Sequence, residues 1–269
     1  MTISNLKYVV LNSTILFCVT HILEMTLHEF GHFFACIAVH AKGISIHHNY
    51  VSNIDEGLTL TSILFIKAAG PLVSLVIGLV FHMVCSKQKT RDLTFLFNLF
   101  MAASGYIGFF GYLMISPFFT VGDTGYIFSA LKFPLALTIA IGISGLLVLY
   151  LLIRNLMKYF VEMASREIIG KNQTRKIFIH SLLTLPIILG IVLTTILNLP
   201  VINVLSLIAP ICTPLTFFWD FGNVLYKKYN LNITNDHFVK LNSFNPGLIL
   251  LIIITIIYNR LLVGGIYFN

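Results

Sequence analysis

The sequence predicts an all-α polytopic membrane protein, with six or seven transmembrane helices and a small re-entrant β-hairpin. Composition is the first reason: 57% of the residues are hydrophobic and 10% charged, with a mean hydropathy of +0.92, whereas soluble domains carry about 25% charged residues. The second is length, because apolar runs recur at about the 20 residues with which a helix crosses the hydrocarbon core. The third is a change of period between the first two runs, from helical spacing to alternation.

The first run, from about Leu6 to Val39, is too long for one perpendicular span, so its helix must tilt or project from the bilayer. Lys7 followed by apolar Tyr8 to Val19 imitates a signal peptide, but no small-residue cleavage site follows and the run continues. After Gly43, apolar Ile44 and Ile46 give way to polar His47, His48 and Asn49, then Val51, with a second alternating piece at Leu58 and Leu60. Non-helical backbone at membrane depth needs protein or a water-filled cavity around it. A short re-entrant hairpin is therefore expected, with an open edge able to receive a substrate strand.

Further spans are expected from about Ser62 to Cys85, Leu93 to Ile115, Pro134 to Ile153, Ile177 to Asn198 and Pro246 to Tyr267. Val201 to Trp219 contains Pro210 and Pro214, so it reads as a kinked span or a re-entrant segment. Between Arg154 and Gly170 the apolar Met157, Phe160, Val161, Ala164 and Ile168 alternate with Arg154, Lys158 and Arg166 around the turn. That pattern predicts an amphipathic helix on the membrane surface; the alternative is a solvated continuation of the preceding span. Residues 1–130 are expected to form the chemical core, and 131–269 to add helices and the surface segment.

The formal charge of +7 and pI near 9.2 would point to nucleic acid in a soluble protein. Here the basic residues sit in short loops, so they set orientation and meet anionic lipid headgroups, and no nucleic-acid partner is expected. With seven crossings, thirteen basic residues, Lys7 among them, share one face, against Lys42 and Lys132 on the other. The positive-inside rule then places the N-terminus in the cytoplasm. The four cysteines, Cys18, Cys36, Cys85 and Cys212, lie in apolar stretches without C-x-x-C spacing and read as small core residues.

The chemistry is concentrated in His28-Glu29-Phe30-Gly31-His32. On a helix His28 and His32 project from one face, one turn apart, and can share a metal ion, with Glu29 to the side as a general base for a bound water. Three ionisable groups within one turn of a membrane helix cost on the order of 2.5 kcal/mol or more for each unpaired charge, so they persist mainly where they work. His28 lies about 17 Å before the far end of its run at 1.5 Å per residue, which submerges the site but leaves it nearer one surface.

Catalytic zinc takes three protein ligands and keeps one open position. The candidates for the third are Glu56, Asp123, Glu162, Glu167 and Asp220, besides the remaining histidines. Asp123 is favoured, because Ser116-Pro117 breaks the helix before it and Gly122 and Gly125 flank it in a turn at the end of a span. A carboxylate plus a hydroxide neutralises a divalent ion, which a low-dielectric interior favours. His21, seven residues before His28, is a candidate partner for that histidine. His40, His47 and His48 read as interfacial, His82 and His180 as polar residues near span ends, and Lys67 as a snorkelling side chain. Gly105, Gly108 and Gly111 read as small residues that let helices pack closely.

On these residues the chain resembles the site-2 protease family of intramembrane zinc metalloproteases. The HEFGH motif at 28–32, Ala69-Gly70-Pro71 at the next span and an Asp-Gly-like turn around Asp123 follow the family's order, over about residues 8–130. The resemblance implies zinc bound by His28, His32 and Asp123, Glu29 as base, and Gly70, Pro71 and Ser74 in contact with substrate. Two departures are visible. Ser74 stands where the family usually has Asn, and Val121-Gly122-Asp123-Thr124-Gly125 follows Ser116-Pro117 where the family has Leu-Asp-Gly after Asn-x-x-Pro. The family also usually holds its metal nearer the cytosol, opposite to the charge count here.

The expected function is therefore an intramembrane zinc endopeptidase acting on a membrane protein or peptide, as a multi-pass protein of a bacterial cell membrane. A prenyl-protein-processing type of membrane protease, with a later Glu as third ligand, is the alternative enzyme. A non-catalytic metal-binding or transport protein is the alternative outside enzymes.

Overall fold

The computed structural model describes residues 3–164, 172–200 and 241–268. Helix α1, Ile3–Ala38, is the central element, against which most of the others pack. A hairpin of β1 (Lys42–Ile46) and β2 (Val51–Ile54) follows, then α2 (Leu60–Lys87) and α3 (Leu93–Ile115). A short α4 (Asp123–Ala130) leads to α5 (Leu135–Glu162). Next come α6 (Asn172–Ile179), a π-helical turn (His180–Thr184) and α7 (Leu185–Leu197). The last pieces are α8 (Pro246–Leu261), a 3-10 turn (Leu262–Gly264) and β3 (Ile266–Phe268).

Among the described residues, six helical stretches are long and apolar enough to cross a membrane, Arg175–Leu197 counting as one through its π turn. The expected segment Val201–Trp219, Glu167, Asp220 and Cys212 lie outside the described residues; Cys18, Cys36 and Cys85 are buried free thiols.

Several polar residues inside these spans find partners within the protein, as a bilayer favours. Thr14, Thr20 and Thr26 donate to carbonyls one turn back in α1. Pro186 has no N–H to offer the Leu182 carbonyl, and the Ser13 hydroxyl donates to it instead at 2.5 Å. Asn12 donates to the carbonyls of Leu241 and Ser243, whereas His48 and Asn49 bond the Asn198 carbonyl. Residues 198 and 241 thus lie toward opposite ends of α1.

Arg91 fastens the α2–α3 turn to the end of α5. Its guanidinium lies over the Phe95 ring, bonds the Gln88 carbonyl and pairs with Glu162 at 2.9 Å. The surface helix expected from Arg154 is instead, as far as Glu162, the last two turns of α5. Leu156, Met157, Phe160 and Val161 are fully buried in the main core with Phe95, Leu96, Leu99 and Phe100 of α3. Apolar residues on one face serve a helix flank as well as a membrane surface, so periodicity alone did not separate the two.

The sheet also departs from expectation. Its order is β2-β1-β3, all antiparallel, with Ile44 opposite Phe268, Ser45 opposite Tyr267 and Ile46 opposite Ile266. Both edges of β1 are therefore occupied, and among the described residues the outer edges of the sheet belong to β2 and β3. Residues 266–268 were legible only as the tail of the last apolar run. That run breaks at Gly265 (φ +74), where a Cβ would stand 2.3 Å from the His47 ring. The second alternating piece is not a strand: Leu58 is in a loop and Leu60 starts α2, capped by Thr59.

Candidate metal centre

Two close approaches bring α2 against the HEFGH turn of α1. A Cβ on Gly31 would stand 2.8 Å from the Ala69 carbonyl oxygen, and one on Gly70 would stand 2.2 Å from Nε2 of His32 and 2.6 Å from Nε2 of His28. Glycine at both positions is what lets the two imidazoles lie between the helices.

Asp123 reaches the same point from α3 and α4. The hydroxyls of Ser116 and Thr124 both donate to the Tyr112 carbonyl, at 2.5 and 3.0 Å, which pins the start of α4 to the end of α3. Gly122 takes φ +87 just before Asp123, and a Cβ on Gly125 would collide with the Phe119 carbonyl at 2.0 Å. The tight loop places Asp123 Oδ2 3.2 Å from His28 Nε2 and 3.3 Å from His32 Nε2. The two Nε2 atoms are 3.2 Å apart.

Both imidazoles are anchored through their other nitrogen. His32 Nδ1–H donates to the Ile66 carbonyl at 2.7 Å, and His28 Nδ1 is 2.9 Å from the Ser74 hydroxyl. The Ser74 hydroxyl hydrogen goes to Glu24 at 2.5 Å, so toward His28 it accepts. Each ring then carries its hydrogen on Nδ1 and turns the Nε2 lone pair toward the other ring and toward Asp123.

Two lone pairs and a carboxylate oxygen at 3.2–3.3 Å repel one another unless a positive charge sits among them. Four-coordinate zinc with bonds of about 2.0–2.1 Å has ligand–ligand edges of about 3.3–3.4 Å, so the donor set fits a metal ion in spacing as well as in chemistry. Among the described residues this is the one group of three that could hold a metal ion.

Glu29 is buried beside the cluster, within electrostatic reach of His32, His28, Asp123 and Lys67. The Lys67 ammonium lies 5.8 Å from the Tyr126 ring centroid. Gly70 is buried in the wall of α2 facing the histidines, Pro71 next to it is buried too, and Ser74 is fully buried. Residues 5–108 match the family model described as Peptidase M50B-like. This stretch is a site-2 protease family domain. The family is one of membrane metalloproteases, and the six spans make the protein a multi-pass membrane protein. Neither a curated protein nor a solved structure matches the chain.

The matched stretch contains His28, Glu29, His32, Gly70, Pro71 and Ser74, while Asp123, which completes the cluster with the two histidines, lies beyond it. Of the other candidate ligands, Glu162 is paired with Arg91, and Glu56 is exposed in the loop after β2. His21 stacks on Phe17 at 6.1 Å, and the residue hydrogen-bonded to His28 is instead Ser74, which the resemblance had set in contact with substrate. His47 stacks on Tyr50, and His82 is hydrogen-bonded to the Tyr106 hydroxyl.

Two residues of the domain's surroundings escaped the sequence reading. Glu24 lies one turn before His28, and that i−4 spacing inside an apolar run was the signal available. Tyr112, stacked on His28 at 5.5 Å, carried no signal, because aromatic residues are common throughout α3.

Proposed function

We propose that this protein is an intramembrane zinc endopeptidase that hydrolyses a peptide bond in or near a membrane-spanning segment of a protein or peptide substrate. The convergence of the His28 and His32 lone pairs with the Asp123 carboxylate, beside the buried Glu29, carries the reading. His28, His32 and Asp123 would hold zinc and leave one position open. Zinc bound there would supply Lewis acidity for the scissile carbonyl and acidify a water molecule.

The remaining work falls to the chain's own groups. The Glu29 carboxylate accepts a proton from the attacking water and returns it to the departing amine nitrogen. Gly70 and Pro71 form the wall along which substrate backbone lies. Ser74, with its hydroxyl committed to Glu24 and His28, supports the ligand instead of the substrate. A helical substrate hides its carbonyls in its own hydrogen bonds and must unwind. Pairing with an outer strand edge of the sheet packed beside α1 offsets that loss.

Glu29→Gln tests the reading. It should bind zinc as the wild type does and cleave a membrane-embedded reporter about two to four orders of magnitude more slowly. Wild-type cleavage by a zinc-loaded Glu29→Gln protein would remove Glu29 as the base. Unchanged biological output without cleavage would favour a metal-binding or transport role.

A further inference from the structure

Glu24 is a carboxylate in the middle of a membrane helix, 6% exposed, and the hydrolytic steps above make no use of it. Its Oε1 accepts from the Ser74 hydroxyl at 2.5 Å, and the same hydroxyl oxygen lies 2.9 Å from His28 Nδ1. A hydroxyl has one hydrogen to give. With that hydrogen committed to the carboxylate, only a lone pair faces the imidazole, and His28 must be the donor. Nδ1 then carries the ring hydrogen and Nε2 is bare. Without the carboxylate the hydroxyl is free to donate to Nδ1, which favours the opposite tautomer, with Nε2 protonated and unable to bind a metal.

The packing around this chain is built to admit it. Gly108 of α3 faces it, and a Cβ there would stand 2.5 Å from Glu24 Oε1 and 2.8 Å from Ser74 Oγ. The glycines of α3 were expected to serve helix packing alone; this one also leaves space for the polar chain. We infer that Glu24 is a positioning residue for the metal site: acting through Ser74, it locks His28 in the tautomer that presents Nε2 to the metal. This rests on the assignment of His28 as a metal ligand.

The test is zinc affinity of the purified full chain in detergent micelles, measured against a competing chelator. Glu24→Leu and Ser74→Ala break the same chain at different links. Each should weaken zinc binding about 10- to 100-fold, as loss of partners behind metal ligands does. The double variant should be no weaker than the poorer single one, because the second change has nothing left to break. A residue that merely glues helices would lower thermal stability and leave zinc affinity alone.

Wild-type affinity in either single variant, or losses that multiply in the double, overturns the inference. His28→Ala separates this from the wider assignment. If the wild type binds no zinc, or His28→Ala binds as tightly as wild type, the metal site itself is wrong. If His28→Ala loses zinc and Glu24→Leu keeps it, only the role of Glu24 falls. Ser74→Ala removes a single oxygen and keeps the comparison open should Glu24→Leu fail to fold.

Discussion

Replacing Gly70 by alanine strikes the metal centre without touching a ligand. The added Cβ would stand 2.2 Å from His32 Nε2, where ordinary contact begins near 3.4 Å, so something must give by about 1.2 Å. Metal–ligand distances tolerate about 0.2 Å. The rings cannot retreat cheaply: His32 is tied to the Ile66 carbonyl at 2.7 Å, His28 to Ser74 at 2.9 Å, and the His28 face is covered by Tyr112. Nor can α2 back away, since a Cβ on Gly105 of α3 would already stand 2.4 Å from the Gly78 nitrogen on its other side.

Displacing a ligand itself should exceed the 10- to 100-fold loss that follows removal of an outer partner, so zinc affinity should fall by more than about 100-fold. Chelator competition on the purified protein reads this directly. Gly264→Ala, where the new methyl meets nothing within 4 Å, is the control and should bind zinc like the wild type. Unchanged zinc affinity in a folded Gly70→Ala protein would refute the placement of both imidazoles against α2.

His28→Ala and His32→Ala should each abolish stoichiometric zinc, because two remaining ligands hold the ion weakly; metal analysis finding one zinc per chain in either would contradict the ligand set. Arg91→Ala should lower stability by about 3 kcal/mol by stranding the nearly buried Glu162 carboxylate. It should leave zinc affinity unchanged, and a thermal shift in detergent alongside a chelator titration checks both. The thirteen-to-two charge asymmetry predicts that the Lys87–Arg91 loop is cytoplasmic and the metal end of α1 faces out. In a cysteine-free background, Glu56→Cys should react with an impermeant thiol reagent on intact cells and Lys89→Cys only after lysis. The reverse pattern would restore the family's usual cytosolic placement.

By itself the sequence determined the membrane class, the position of most spans and the residues of the HEFGH turn. Each depends on properties that act within one segment: hydrocarbon thickness sets the length of an apolar run, and the helical repeat puts His28 and His32 on one face. Asp123 was legible too, as an acid in a glycine-flanked turn after a span. What the sequence left open required knowing which segments meet. The tautomer of His28 depends on Ser74, which stands 46 residues from His28 and 50 from Glu24, the carboxylate that takes its hydroxyl hydrogen. The strand at Ile266–Phe268 forms because β1 offers it a partner from the other end of the chain; as a local string it is indistinguishable from the end of a span. The apolar face of Arg154–Glu162 would suit lipid or protein equally, and α3 decided for protein. Pairing, packing and proton placement are properties of contacts distant in sequence, and only the tertiary structure supplies those contacts.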